Sequence, residues 1–238
     1  MQSLLRLAFP PQCVSCGELV ERDFGLCGDC WRDTPFATGL VCDGCGVPLP
    51  GQDEGHAEHC DDCLSIARPW HKGRAALLYK DKARRIVLAL KHGDRLDLAR
   101  PAAKWMAGAA GPLLTEDSVI VPVPAHPMRL LQRRYNQAAV LGNELARVLN
   151  RDTIPELLMR ARRTESQDGK NRDQRFANLS EAIKPARYAA LKLAGRPVIL
   201  VDDVMTSGAT LAAATEACHA AGSRRVDVLV LARVAKDA

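Results

Sequence analysis

Two patterns of reactive side chains stand out in the chain. The first is a set of four CxxC pairs, Cys13/Cys16, Cys27/Cys30, Cys42/Cys45 and Cys60/Cys63. The second is a run in which two adjacent carboxylates, Asp202 and Asp203, lead into a small hydroxyl-bearing stretch, Thr206-Ser207-Gly208-Ala209-Thr210. Paired thiols can ligate a soft cation or cycle between thiol and disulfide. Paired acids beside a hydroxyl-rich turn can hold a sugar that carries a phosphate.

Two residues between cysteines let one tight knuckle aim both sulfurs at one ion, and two knuckles complete the tetrahedron that zinc accepts without strain. Ten residues separate the first pair from the second and fourteen the third from the fourth, enough for the chain to turn back. The spacing therefore predicts one or two structural zinc ions held by Cys13, Cys16, Cys27, Cys30, Cys42, Cys45, Cys60 and Cys63. Pairing in chain order and interleaved pairing both fit, and His56 or His59 offers an alternative to a sulfur. A thioredoxin-type redox pair is disfavoured by four repeats with no strand and helix pattern around them. A catalytic zinc is disfavoured because four thiolates close its coordination sphere.

The second run follows an apolar strand, Val198 to Val201, and opens a helix. Unpaired N–H groups and the positive dipole end at a helix start suit a phosphate, and the threonine and serine hydroxyls add donors. Carboxylates repel phosphate, so Asp202 and Asp203 need another task, such as accepting hydrogen bonds from vicinal sugar hydroxyls. No lysine follows Gly208, which excludes a Walker loop, and no GxGxxG turn is present. The plain alternative is a strand and helix junction with acids and threonines as turn and capping residues.

The elements that must carry these groups follow from apolar patterning. Strands are expected at 74–79, 118–123, 198–201 and 226–231, and helices at 83–91, about 137–149 and 209–221. Strand, loop and helix in alternation predict an α/β fold with a parallel sheet flanked by helices, whose ligands bind at the carboxyl ends of the strands. Eight of nine cysteines lie between Cys13 and Cys63 and none between 64 and 217. That predicts a Cys-rich module over 1–68 and the α/β domain over 69–238. The last cysteine, Cys218, sits in a helix and reads as an inert small hydrophobe.

The 198–211 string resembles the phosphoribosyl pyrophosphate (PRPP) signature of type I phosphoribosyltransferases. Together with the CxxC pairs, Val121-Pro-Val-Pro124-Ala-His126, Arg133-Arg-Tyr135-Asn136-Gln137-Ala138, Arg163-Thr164 with Gln167, and Arg175-Phe-Ala-Asn178, it resembles the ComF family of competence proteins. Arg134 stands where that family often has Gly, and Ser207 where Thr is frequent. The resemblance implies a double zinc ribbon before a phosphoribosyltransferase domain that binds PRPP with Mg²⁺ and passes phosphoribosyl to an unknown acceptor, releasing pyrophosphate. It implies that Asp202 and Asp203 hold the ribose hydroxyls, and that Thr206, Ser207, Gly208, Ala209 and Thr210 hold the 5′-phosphate. His126, Arg129 and Arg133 fall in the loop expected to face pyrophosphate, with His126 as a candidate acid or base. Arg163, Arg172 and Arg175 border a polar stretch expected to act as a lid. Lys91-His92-Gly93 is similar to a family string without an assigned role.

Composition narrows the classes. A chain 47% apolar over 238 residues buries a core and is no disordered tail. Lys plus Arg of 33 against 28 Asp plus Glu gives a mild +5, no sign of DNA binding by itself. Only 4% aromatic residues counts against a base-stacking strip. No apolar run is long enough to cross a bilayer and the opening segment is too short for a signal peptide, so no membrane insertion and a cytoplasmic location are expected. A second reading follows from the family resemblance: a non-catalytic or PRPP-sensing component of DNA uptake, whose zinc module contacts single-stranded DNA or competence proteins.

Overall fold

The computed structural model describes residues 9–92, 95–125, 135–160 and 182–235. The Cys-rich segment contributes two short helices, α1 (Gly28–Arg32) and α2 (Asp61–Ser65), each starting at a cysteine knuckle. There follow β1 (Gly73–Leu78), α3 (Asp81–His92), α4 (Ala99–Ala110), β2 (Val119–Pro122) and α5 (Gln137–Leu149). A small antiparallel pair comes next, β3 (Leu158–Arg160) with β4 (Ile183–Pro185). The chain ends with α6 (Ala189–Leu193), β5 (Val198–Met205), α7 (Ala209–Ala220) and β6 (Val226–Arg233).

The main sheet has the order β1-β6-β5-β2, and every neighbouring pair is parallel. Its strands are rich in Val, Ile and Leu because both faces are covered. Val119, Val121, Val198, Leu200, Val228 and Val230 face one core, and Ile120, Ile199, Val201, Leu229 and Leu231 face the other. β2 leads to α5, whose Leu141, Leu145 and Ala146 enter the second core. β5 leads to α7, whose Leu211, Ala214 and Ala217 enter the first. Adjacent parallel strands thus send their chains to opposite faces, the switch that opens a crevice between their carboxyl ends.

Several findings differ from the expectations, the short elements α1, α2, β3, β4 and α6 among them. β5 does not stop at Val201 but runs through both acids to Met205, because its backbone stays paired with β6 as far as Arg233. α4 was not among the expected elements. It is an alanine-rich helix with Pro101 near its start, where a missing N–H costs nothing, so a proline there does not break it.

The Cys-rich segment packs directly on the sheet. Cys42 and Cys45 are completely buried and belong to the first core with Trp70 and Ala75. Gly73 N–H donates to Asp43 O at 2.7 Å, and the Asp43 carboxylate pairs with Arg74 on β1. Backbone meets backbone here: a Cβ at Gly73 would lie 2.5 Å from Gly44 O, and one at Gly46, whose φ is +72°, would lie 2.4 Å from Ala75 N. Gly73→Ala and Gly46→Ala are each expected to cost about 1–3 kcal/mol through overpacking. Gly108→Ala, in α4 with open space around the added carbon, is expected to be neutral or stabilising. Urea midpoints of the three variants check this.

Candidate functional site

The four cysteine knuckles pair in chain order. Cys13, Cys16, Cys27 and Cys30 form one quartet and Cys42, Cys45, Cys60 and Cys63 the other, with the sulfurs of each quartet within 4.8 Å of one another. Neither quartet includes His56 or His59. A zinc–sulfur bond of about 2.3 Å sets a tetrahedral sulfur–sulfur edge of about 3.8 Å. Cys16 and Cys27 are 3.7 Å apart, as are Cys45 and Cys60, so the donor sets fit zinc in both type and size. Backbone N–H groups support the sulfurs, Cys30 N–H on Cys27 and Cys60 N–H on Cys42. Hydrogen bonds from Cys42 and Cys63 hold the Cys45 thiol well below its ordinary range, while burial pushes the Cys60 thiol up and hydrogen bonds with Cys42 and Cys45 push Cys63 up.

The second site gathers at the carboxyl end of β5. Asp202 and Asp203 lie on successive, opposite-facing positions of the strand. Asp203 N–H donates to Asp202 Oδ1 at 2.9 Å. The chain then turns through Thr206 and Ser207 to Gly208, whose φ of +83° caps α7. Residues 204–211 with Asp202 line an open cradle of ≈ 270 Å³. Ala209 and Thr210 occupy the first turn of α7, where backbone N–H groups have no partner inside the helix. Ser207 Oγ accepts from Ala209 N–H at 3.4 Å. The Gly208 position favours glycine, since its backbone is left-handed and a Cβ would crowd Arg68 Nη1 at 2.7 Å and Trp70 Cη2 at 3.0 Å.

A lysine completes the arrangement. Lys91, at the end of α3, places Nζ 3.1 Å from Asp203 Oδ2. The α3 terminus is held in turn by the segment before α5: Tyr135 Oη donates to Leu90 O at 2.8 Å and Gln137 Nε2 to Lys91 O at 3.2 Å. Asn136 Nδ2 donates to Val123 O at 3.0 Å, past the end of β2, while its Oδ1 accepts from Ala138 N–H and caps α5.

Residues 4–64 match the family model of the double zinc ribbon domain, and residues 136–238 that of the phosphoribosyl transferase domain. The chain joins a double zinc ribbon to a phosphoribosyl transferase domain. It is 28% identical to Competence protein F of Haemophilus influenzae over 228 residues, 93% of this chain and 96% of that protein. It is also 28% identical to DNA utilization protein YhgH of Escherichia coli over 234 residues, 95% of this chain and 99% of that one. The protein of the same name from Salmonella typhimurium is likewise 28% identical, over 238 residues. The two family models follow one another along this chain in the order that the ComF resemblance implies.

In the phosphoribosyl transferase domain, the expected residues Asp202, Asp203, Thr206, Ser207, Gly208, Ala209 and Thr210 all meet at one strand end. His126, Arg129, Arg133, Arg163, Arg172 and Arg175 lie outside the described residues. Two groups at the site carried no assigned role in the sequence: Lys91, and Arg68 in the linker between the zinc ribbon and β1. Lys91 was visible only as part of a short string, and Arg68 belonged to no pattern.

Burial, and next the neighbouring Asp203 charge, push the Asp202 carboxyl up to about 7. An unfolded aspartate titrates near 3.9, so between that value and 7 the folded chain binds the extra proton. Stability from this group is therefore complete below about pH 4 and is lost as pH rises through 7, where a charge must be buried. Asp202→Asn escapes that loss. At pH 8 the variant is expected to melt higher than wild type by roughly 2–4 °C per kcal/mol relieved. The gap should close toward pH 5, as calorimetry at both pH values would reveal.

Proposed function

We propose that the chain binds PRPP at the carboxyl end of β5 and transfers its phosphoribosyl group to an acceptor, releasing pyrophosphate. One observation carries this reading. Two adjacent acids lie near the carboxyl end of a central strand beside the sheet's switch point, and after two more residues the chain turns into a hydroxyl-rich cradle at the start of a twelve-residue helix. The geometry separates the two chemistries a ribose phosphate needs, acceptors for hydroxyls and donors for phosphate.

In this reading the 5′-phosphate takes the N–H groups of Ala209 and Thr210 with the hydroxyls of Thr206, Ser207 and Thr210. Asp202 and Asp203 accept from the ribose hydroxyls and fix the face presented by C1. Lys91 pairs with Asp203 and orients it, and in this reading its cation is available to the leaving pyrophosphate. Mg²⁺ arriving with PRPP would neutralise charge on the leaving pyrophosphate. The two carboxylates suit a hard cation that keeps most of its waters. His126 and Arg133 stay candidates for the departing pyrophosphate and the acceptor. Positioning and charge stabilisation, rather than covalent chemistry, carry the rate. Zinc held by four thiolates at each quartet would be structural, and eight clustered cysteines used as metal ligands rather than disulfides fit a reducing, cytoplasmic location.

A second reading, a non-catalytic or PRPP-sensing part in DNA uptake, draws on the names of the relatives and on one surface. Trp31 and Phe36 lie with ring centroids 4.4 Å apart, and Phe36 meets Trp105 edge-on at 5.9 Å. Arg32 and Lys104 line the same groove. Three of the ten aromatic residues of the chain therefore cluster, with cations, at one groove that suits stacked bases of a single strand or a partner protein. Among the described residues no helix is long and apolar enough to cross a membrane.

Calorimetric titration with Mg²⁺-PRPP is expected to show one site per chain, strengthening as pH rises through 7 because ribose donors favour the charged Asp202. Replacing both acids, Asp202→Asn with Asp203→Asn, should weaken it about a hundredfold or more through two lost charge-assisted hydrogen bonds. Equal binding by the double variant would defeat the assignment. Pyrophosphate release in the presence of nucleobases or amines supports the enzyme. Binding without release, together with single-stranded DNA affinity that collapses in salt, supports the second reading.

A further inference from the structure

The linker and the last strand connect the second cysteine quartet to the phosphate cradle through two arginines. Arg68 Nη1 donates to Ser207 O at 2.6 Å. Its guanidinium lies 5.3 Å over the ring of Trp70, whose Nε1 donates to Gly44 O inside the third knuckle at 2.8 Å. Arg68 and Trp70 together fill the space beside Gly208.

Arg233 makes the parallel connection. It is 3% exposed, and its Nη1 donates to Thr206 O at 2.7 Å and to Met205 O at 3.4 Å. Its Nη2 lies 3.7 Å from Asp62, which sits between Cys60 and Cys63. The carbonyls of three consecutive cradle residues, 205 to 207, are thus held by two cations, Arg68 stacked on the Trp70 that bonds the third knuckle and Arg233 beside Asp62 of the fourth, with Arg233 also donating to Val234 O. The first quartet is tied elsewhere: Lys82 on α3 reaches Cys30 Sγ at 3.4 Å and pairs with Asp33 at 2.9 Å.

We infer that Arg68 and Arg233 are positioning residues that make the grip of the phosphate cradle depend on metal in the Cys42/Cys45/Cys60/Cys63 site and not in the other. The inference rests on the PRPP reading of the cradle. With metal bound, four thiolates fix the knuckles and present a concentrated negative charge that orients both guanidiniums. They in turn hold the carbonyls of 205–207 turned away from the cradle, so that the N–H groups face the phosphate. Without metal the knuckles lose their constraint, and both arginines lose the anchor at one end.

Coupling between two binding sites is reciprocal. The test therefore uses the full zinc-loaded chain and measures zinc affinity by competition with a zinc-selective chelator, with and without saturating Mg²⁺-PRPP. Calorimetry reports PRPP binding in parallel. In wild type, PRPP is expected to raise the affinity of one zinc site about tenfold and leave the other unchanged, the scale of one charged hydrogen bond. In Arg68→Ala, PRPP should bind about tenfold more weakly, and the response of the zinc site should shrink to the part that Arg233 carries even at saturation. Arg68→Lys keeps the charge and one donor, so part of the coupling should return; it carries the comparison if the alanine variant does not fold. Wild type that binds PRPP with no change at either zinc site overturns the inference, as does an undiminished response in Arg68→Ala. Wild type that binds no PRPP overturns the reading of the cradle itself, and the coupling with it.

Discussion

The third cysteine knuckle and strand β1 meet backbone to backbone, with no side chain between Gly44 and Gly73. That contact needs two glycines at the same depth, a hydrogen bond from Gly73 to Asp43, and a metal-shaped turn that holds Cys42 and Cys45 in the core. A separate ribbon of this size would bury too little apolar surface to fold well alone. Here its sulfurs count as core atoms of the neighbouring sheet. Metal, sheet edge and cradle are consequently parts of one packed unit, and Trp70 is the large side chain that fills the corner between them.

Charge is concentrated at the same end of the sheet. Asp202, Asp203, Lys91 and Arg233 all lie within or beside β5 and β6, where isolated charges would be costly. The structure reduces that cost in two ways. One carboxyl is driven toward its neutral form, and the other is paired with a lysine. An arrangement that is electrostatically strained when empty and relieved by hydroxyl donors and a phosphate favours ligand over void, a pattern common at functional sites.

Much of this was legible in the sequence, for identifiable reasons. Buried parallel strands have no polar face, so runs such as 198–201 announce themselves by composition alone. CxxC spacing encodes a knuckle directly. The order in which knuckles pair was not legible, because loops of ten and fourteen residues permit either arrangement. α4 escaped notice because alanines and a proline blur the helical period. Tyr135, Asn136 and Gln137 stood out only as a string. Their work, closing the carbonyl ends of α3 and β2 while capping α5, depends on segments far away in the chain. Arg68 and Arg233 could not be singled out among so many arginines, since what distinguishes them is a distant carbonyl.

The central claim is that the turn from Thr206 to Leu211 receives the phosphate of PRPP. Backbone amide hydrogen exchange measured on the full zinc-loaded chain with and without Mg²⁺-PRPP tests it most directly. A bound ligand stabilises the amides it contacts by mass action, so exchange at 206–211 is expected to slow about tenfold or more at saturating ligand, while α4 stays unchanged. Unaltered exchange at 206–211, or protection confined to other segments, would contradict the account.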